Sequence, residues 1–515
     1  MEAAEDRRTQ VQARHDSSGS STSHLDRLSA LPDCLLHSIM SFMKARQAVQ
    51  TCVLAKRWKH LWRSVPCLDV DFDEFETKRL ARAPDDDNNP DSGSDDSSDT
   101  EPYEDSYSSG SEYDDSSNTN KDWEDFEDFT VNLMLRCNIA LLDSFRLCTG
   151  TGRAPRFCNR LAAGWLRRAM KNRTPDHASQ SVGSSPGAWR LKTLHLYQVF
   201  LDNRFEKHVS SLCPSLEELN LDRCTFKIHS ITSDSLKSLV LKNCKWNKLS
   251  EIASPTLKTL VIDGGLNLFS CLLVILAPAV AYLRLDVNVD VFHGDISINE
   301  MPSLAEASIQ LTGHRRNMGI VNHSKLHDDQ SKLLCSISHV TSLLLSGVGT
   351  MVLGKEPIFL EFKNLRNLLL RNCDLCDRTL GFFLHSSPNL ERLTLQNCKM
   401  VVKDTTFHDF ICLRDLLLGH CYLGENTFGL FLHISPNLEK VTLQHCKFLN
   451  GYMEKKGTPK LNESSSSECR CLDSHCEKLK LEIIYKEGKA HQFVNRVLQL
   501  LGNLPKNHIK FTKVI

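Results

Sequence analysis

The feature that most constrains the fold is a short phrase that recurs at nearly fixed spacing from residue 191 onward. Its form is LxxLxLxxC, and successive copies start 20 to 25 residues apart, with one step of 36. Such a period is typical of a repeat array, in which no unit can bury its leucines alone and stacking creates one continuous core. The copies start at residues 191, 216, 236, 257, 280, 304, 340, 365, 390, 413 and 438.

Each copy of the phrase predicts a strand, and the residues between copies predict a helix or a turn. Proline precedes several copies, as at Pro214 and Pro388, where it ends the previous helix and sets the chain for an extended strand. Segments 377–385 and 426–433 have helical spacing of apolar residues. The phrase resembles the leucine-rich repeat, so we expect an α/β fold with a solenoid of parallel strands and helices or turns over 189–450.

The cysteines that end the phrase occupy its Asn/Cys position. A small polar side chain there faces inward and supports the turn after the strand, so we predict a structural role for these residues rather than metal binding. They are Cys224, Cys244, Cys373, Cys398, Cys421 and Cys446.

Outward positions of the repeat strands are the predicted surface for a target. The phrase leucines point inward, so its third, fifth and seventh positions alternate outward on the concave face. In the C-terminal copies these positions combine Arg, Lys, Gln and Leu, a mixed surface that suits protein recognition. The predicted substrate-binding residues are Asn367, Leu369, Arg371, Arg392, Thr394, Gln396, Asp415, Leu417, Lys440, Thr442 and Gln444.

A second pattern lies upstream, in residues 25–72. It predicts short amphipathic helices, the first beginning at a proline, with two Trp and many Leu and Met. About 45 residues are too few to build a well-stocked core alone, so burial of the apolar faces on a partner would stabilise this unit. The pattern LPDxLLxxIxSFMxxRxAVxTCVLxKRWxxLW resembles the F-box, in the form common in plant F-box/leucine-rich-repeat proteins.

The resemblance implies both partners and a function. The F-box would bind the Skp-type adaptor, and through it the cullin, of a ubiquitin ligase, while the repeats would hold a target protein for ubiquitination. The chain would be a non-enzymatic receptor that contributes proximity. By the family pattern, the residues expected in the adaptor contact or the F-box core are Leu31, Pro32, Leu35, Leu36, Ile39, Val49, Val53, Trp58, Leu61 and Trp62.

The remaining segments are assigned by composition. Residues 1–24 and the tract 83–121, rich in Asp and Ser, have too few apolar residues to offset the entropy of ordering, which predicts a disordered tail and a disordered acidic loop. The acidic tract is interpreted as a solvated linker or as a site of phosphorylation. Residues 122–188 are predicted to connect the F-box to the repeats. A polar loop at 451–476 and a C-terminal cap at 477–515 complete the predicted organisation.

Several classes of function find no support in the sequence. The net charge of −1 gives no basic field for nucleic acid, and motifs for phosphate binding, dinucleotides or metalloprotease chemistry are missing. Cys469, Cys471, His475 and Cys476 have a spacing uncommon in zinc sites, and two adjacent ligands can hardly both bind one ion. We therefore predict no cofactor, no metal and no membrane span, and we expect the protein in the nucleus and/or cytoplasm.

Two other interpretations stay open. In one, a degenerate F-box only packs on the repeats and the chain is an adaptor-independent scaffold; the near-complete apolar pattern argues against it. In the other, a small molecule fills the concavity of the repeats and completes a target site. No basic or aromatic cluster in the sequence favours this ligand-sensing receptor.

Overall fold

The computed structural model describes most of the predicted F-box and repeats. The tail 1–24, most of the acidic tract, the polar loop 451–476 and the cysteine–histidine cluster within that loop lie outside the described residues. The described residues are 28, 30–76, 116–150, 158–170, 190–267, 271–288, 296–299, 301–312, 333–347, 361–401, 410–424, 427–448, 479–486, 490–500 and 508–514.

The N-terminal unit is helical, as its sequence predicts. Its first helix, Asp33–Met40, begins directly after Pro32, whose φ of −58° suits a helix start and whose missing N–H costs nothing there. The second helix is Ala45–Gln50. Around Trp58–Trp62 the chain forms a pair of 3₁₀ turns rather than a third amphipathic α-helix. The 3₁₀ turns of this unit are Thr51–Val53, Lys56–Lys59, Leu61–Ser64 and Phe72–Glu74.

A parallel sheet runs through the rest of the molecule and confirms the α/β solenoid. Within the described residues it contains fifteen strands that follow one another in chain order. Leucines of the phrase alternate inward along each strand and form one continuous core. The strands are Cys67–Asp71, Ser144–Cys148, Thr193–Tyr197, Glu218–Asp222, Ser238–Lys242, Thr259–Asp263, Tyr282–Asn288, Glu306–Thr312, Ser342–Ser346, Asn367–Arg371, Arg392–Gln396, Asp415–Gly419, Lys440–Gln444, Lys480–Lys486 and Ile509–Val514.

The sheet begins earlier than the repeat phrase indicates. Its first strand, Cys67–Asp71, lies within the predicted F-box segment, and its second, Ser144–Cys148, lies within the predicted connecting segment. Both are in register with the repeats, since Cys67 pairs with Ser144 and Ser144 with Thr193. These two strands keep the inward alternation of apolar residues but lack the full pattern of leucines and cysteine. A search for the repeat phrase therefore does not find them.

Helices and short strands complete the turns of the solenoid. The helix Ser116–Arg136 begins inside the segment predicted as an acidic loop. The other helices are Cys158–Met170, Asn203–Leu212, 333–336, Asp377–His385, Thr427–Ile434 and Ala490–Leu500. The short strands are Phe200–Leu201, Thr225–Phe226, Ser230–Thr232, Lys245–Trp246, Glu251–Ala253, Leu266–Asn267, Leu273–Leu276, Ile296–Ile298, Asp374–Cys376, Lys399–Val401, Tyr422–Leu423 and Lys447–Phe448.

The turn after each repeat strand has a regular geometry. Just before the phrase cysteine, the backbone takes a positive φ, as at Asn372 and Asn397 (both 53°), a conformation that asparagine tolerates better than most residues. The next residue is the buried cysteine, and the Cys398 thiol donates a hydrogen bond to the carbonyl of Leu370 in the preceding repeat at 3.4 Å. This arrangement agrees with the structural role predicted for these cysteines.

The apolar stretch around residues 266–285 supplies strands to the solenoid rather than a long helix. Among the residues that the structure describes, no helix is long and apolar enough to cross a membrane.

Candidate functional site

Large apolar side chains are exposed on the helical N-terminal unit. Leu35 and Ile39 lie four residues apart on the first helix and so share one of its faces. Phe42 follows the end of that helix and is 91% exposed, while Val53, in a 3₁₀ turn, is 82% exposed. Leu54 is the next residue and is also exposed. We call these five residues the F-box apolar surface.

Four of the residues expected in the adaptor contact or the F-box core are buried inside the unit. Leu36 is 0% exposed, and Trp58, Leu61 and Trp62 are also buried in the core. The Trp62 indole donates its Nε1–H to the carbonyl of Lys59 at 3.1 Å. Of the two roles that the family pattern leaves open, adaptor contact or F-box core, the structure places these four side chains in the core, where they hold the unit together.

Three more of the predicted residues differ in how far they are buried. Leu31 and Val49 are half-buried against the core, and Pro32 is exposed where the first helix begins. Phe42 and Leu54 are absent from the predicted set. Phe42 is out of phase with the inward positions of the first helix, and this is the sequence signal that marks it as outward.

The apolar surface is held in place by polar contacts within the unit. The Arg57 side chain donates to the carboxylate of Asp33, with Nε 3.0 Å from Oδ1, and so ties a 3₁₀ turn to the start of the first helix. This ion pair is exposed and contributes little stability. Packing of Leu36 and Met40, both fully buried, is the stronger constraint on that helix.

A buried ion pair joins the helical unit to the first strand of the sheet. The Lys44 ammonium lies 2.6 Å from Asp71 Oδ2, and the Asp71 side chain is only 5% exposed. Burial alone would raise the pKa of the Asp71 carboxyl, but the hydrogen bonds from Lys44 and from the backbone N–H of Asp73 hold that pKa below its usual range. The pKa of Lys44 is raised, chiefly by its hydrogen bond to Asp71.

We expect Lys44→Met to lower the free energy of unfolding by about 1–3 kcal/mol at neutral pH, the usual contribution of a hydrogen bond to a charged group. In the wild type the lowered pKa of Asp71 gives stability that is present above its unfolded pKa, about 3.9, and is lost as pH falls through the lower folded value. Without Lys44, burial raises that pKa, so the deficit should shrink as pH falls from 7 towards about 4.

Urea unfolding of the two proteins across this pH range checks the expectation. Lys59→Met, which removes an exposed lysine of the same unit, is the matched control and should have no such pH dependence. A deficit that is constant with pH would show that Lys44 acts through packing alone.

Asp71, Asp73 and Cys148 also lie close enough together to suggest a metal site. However, Asp71 is already bonded to Lys44. Burial raises the pKa of the Cys148 thiol to about 12, which keeps it protonated and a poor ligand. The chemistry of this group therefore fits a structural junction better than a metal centre.

An aromatic cluster also packs next to the first strand. The Phe126 ring, on the helix Ser116–Arg136, lies 5.3 Å from Phe72, 5.4 Å from Phe75 and 5.7 Å from Trp165 between ring centroids. Trp123 lies 5.3 Å from the same ring. Phe72 and Phe75 directly follow the first strand, so the cluster covers the N-terminal end of the solenoid, where an open repeat array needs a cap.

The outward face of the sheet brings the predicted substrate-binding residues together. Four neighbouring strands are in exact step, so that the predicted residues form three columns across them. Neighbouring strands lie about 4.8 Å apart, so each column is a continuous strip. The first column is Asn367, Arg392, Asp415 and Lys440; the second is Leu369, Thr394, Leu417 and Thr442; the third is Arg371, Gln396, Gly419 and Gln444.

The structure refines this prediction at three positions. Thr442 is only 5% exposed, so it contributes little surface to a partner. Leu344, in the strand before this group, pairs with Leu369 and extends the second column. Lys480, in the strand after it, pairs with Lys440 and extends the first. The sequence prediction missed the last two because their copies of the phrase are weak or incomplete.

A helical unit with exposed apolar side chains, followed by a parallel leucine-rich solenoid, is the arrangement that the sequence resemblance leads us to expect. The F-box domain model matches residues 28–69, which contain the F-box apolar surface. The resemblance seen in the sequence is thereby confirmed: the chain contains an F-box domain, and over most of its length it is similar to plant F-box/leucine-rich-repeat proteins.

Similar proteins come from rice and Arabidopsis. The chain is 29% identical over 409 residues to the MEIOTIC F-BOX protein MOF of Oryza sativa subsp. japonica, covering 73% of each chain. It is 27% identical over 418 residues to an F-box/FBD/LRR-repeat protein of Arabidopsis thaliana, covering 72% of this chain and 76% of the relative. F-box/LRR-repeat protein 13 of Arabidopsis thaliana is 40% identical over 76 residues, 14% of this chain and 16% of the relative.

Proposed function

We propose that this protein is the substrate-recognition subunit of a Skp–cullin–F-box ubiquitin ligase. In this role the F-box apolar surface binds the Skp-type adaptor, and the outward face of the repeats binds the protein to be ubiquitinated. The chain performs no bond chemistry and acts in the nucleus and/or cytoplasm. Its contribution is to hold the target near the ubiquitin-carrying enzyme, which raises the effective concentration of the reacting groups.

The observation that carries this proposal is the exposure of apolar side chains in a unit that already has a core. The inward positions, including Leu36 and Met40, are satisfied by packing, yet Leu35, Ile39 and Val53 face solvent. Contiguous exposed apolar surface is typical of interaction sites. An F-box that merely packed on the repeats would bury these side chains, so their exposure favours adaptor binding over the adaptor-independent scaffold.

Titration of the purified chain with a Skp-type adaptor tests the proposal. Wild type should bind, and truncation of the exposed helix face by Leu35→Ala with Ile39→Ala should weaken binding about tenfold or more, as expected when two interface anchors are removed. Ile411→Ala is the control, since Ile411 is 65% exposed but lies in the repeats.

Failure of the folded wild-type chain to bind any Skp-type adaptor would refute the proposal. The protein would then be treated as a repeat scaffold. Equal weakening by Ile411→Ala would show that the contact is not confined to the F-box.

A further inference from the structure

Among the described residues, the C-terminal part of the outward face carries a net positive charge. Lys440 and Lys480 are direct cross-strand partners, so two ammonium groups stand side by side in the first column. Both residues are exposed, and among the described residues neither forms an ion pair. Two carboxylates lie nearby, but Asp415 is ion-paired with Arg392 and Glu482 with Lys510, so the lysines keep an excess of positive charge. Like charges in directly opposed positions destabilise a sheet, so this pair favours binding of an anion.

Arg371 adds a third uncompensated charge in the third column. Its Nε and Nη2 atoms donate to Oε1 of Gln396 at 3.1 and 2.9 Å. The amide oxygen is a neutral acceptor, so it fixes the orientation of the guanidinium without cancelling its charge. Arg392 differs, because it forms an ion pair with Asp415, with Nε and Oδ2 3.1 Å apart.

An apolar strip runs between these charges. Leu344, Leu369 and Leu417 occupy the second column and are half-buried, although they point away from the core. Thr394 stands between the last two and has a methyl group of its own. Covering apolar surface of this kind with an apolar side chain of a partner is favourable, because it removes that surface from water.

The N-terminal part of the same face has the opposite character. Asp263 and Asp286 lie 3.2 and 3.5 Å from Arg284, and Glu306 stands in the next strand. Lys242, opposite Asp263, is itself flanked on its other side by Asp222, so acidic side chains outnumber basic ones here. Burial, together with the nearby Asp263 carboxylate, raises the pKa of the Asp286 carboxyl, a sign of crowded negative charge. An acidic ligand is therefore repelled by the N-terminal strands and attracted by the C-terminal ones.

We propose that the C-terminal outward face binds an extended acidic segment of the target protein. One large aliphatic or aromatic side chain of that segment lies on Leu369 and Leu417, and its carboxylates face Arg371, Lys440 and Lys480. This inference rests on the proposed function, which it deepens by naming the class of target. The apolar contact supplies affinity, and the cations supply orientation and selectivity.

Selection from a random peptide library on the full chain tests this inference. Enriched peptides should carry net negative charge and at least one large apolar residue. Their affinity, measured by fluorescence anisotropy, should fall about tenfold or more when Lys440→Glu and Lys480→Glu are combined, and it should weaken as salt is added. Leu369→Ser with Leu417→Ser should cause a similar loss through the apolar contact.

Lys245, on the short strand Lys245–Trp246, and Lys227, directly after the short strand Thr225–Phe226, give the matched control. Lys227→Glu with Lys245→Glu makes the same change of charge at exposed positions away from the outward face and should leave peptide affinity unchanged. Enrichment of basic or uncharged peptides, no enrichment at all, or equal loss in both charge-reversed proteins would overturn the inference.

Adaptor titration of the same proteins separates this inference from the proposed function. All three variants should bind the adaptor as wild type does, because their substitutions lie in the repeats. If the chain binds the adaptor but peptide selection fails, only the inference about the class of target is overturned. Peptide binding of the expected kind without adaptor binding would instead overturn the role in a ligase.

Discussion

Val53→Glu should abolish binding of the Skp-type adaptor and leave the stability of the chain unchanged. Val53 is 82% exposed in the free protein, so a glutamate there meets water and costs the fold nothing. In the proposed complex, the same position is covered by an apolar partner. Burying a charge without a partner costs several kcal/mol, which corresponds to a loss of affinity of about 100-fold or more.

Calorimetric titration with the adaptor, alongside thermal unfolding of each protein, measures both parts of this expectation. Ile411→Glu is the matched control, because it places the same charge at an exposed isoleucine of the repeats. It should change neither quantity. If Val53→Glu kept full affinity, the 3₁₀ turn Thr51–Val53 would lie outside the adaptor contact, and the contact would be limited to the first helix.

Leu35 and Leu36 show why the sequence alone does not separate a surface residue from a core residue. The sequence places Leu35 and Leu36 in one apolar group, since both fit the family pattern. In the structure Leu36 is fully buried while Leu35 is exposed. Neighbouring residues on a helix are about 100° apart, so only one of them can face the core. Which one does so depends on where the strands and turns pack, and a single sequence does not state this.

The solenoid was easier to predict than the F-box surface, for a physical reason. Each repeat packs against similar neighbours, so leucines recur at the inward positions. The register of columns such as Leu369, Thr394 and Leu417 therefore follows from the phrase. The ends of the array have different neighbours and therefore different sequences. For this reason the repeat phrase does not identify the strand Cys67–Asp71 or the cross-strand partner Lys480.

The N-terminal cap of the solenoid leads to the second large effect. We expect Phe126→Ala to lower the free energy of unfolding by about 3–5 kcal/mol, the usual cost of removing a buried aromatic side chain. Phe126 is 0% exposed, and its ring contacts Phe72, Phe75, Trp123 and Trp165. Phe72 and Phe75 precede the acidic tract, whereas Trp123 and Trp165 follow it. Removing the Phe126 ring therefore loosens the packing of the helix Ser116–Arg136 against the residues that follow the first strand.

Hydrogen exchange shows where that stability is lost. Amides of the first two strands, Cys67–Asp71 and Ser144–Cys148, should exchange faster in Phe126→Ala, whereas those of Arg392–Gln396 should keep their protection, because each repeat contacts only its neighbours. Phe126→Leu, which leaves a smaller cavity, should give a weaker effect of the same pattern. Uniform loss of protection would mean that the cap and the repeats unfold as one unit, and that the aromatic cluster stabilises the whole solenoid rather than its N-terminal end.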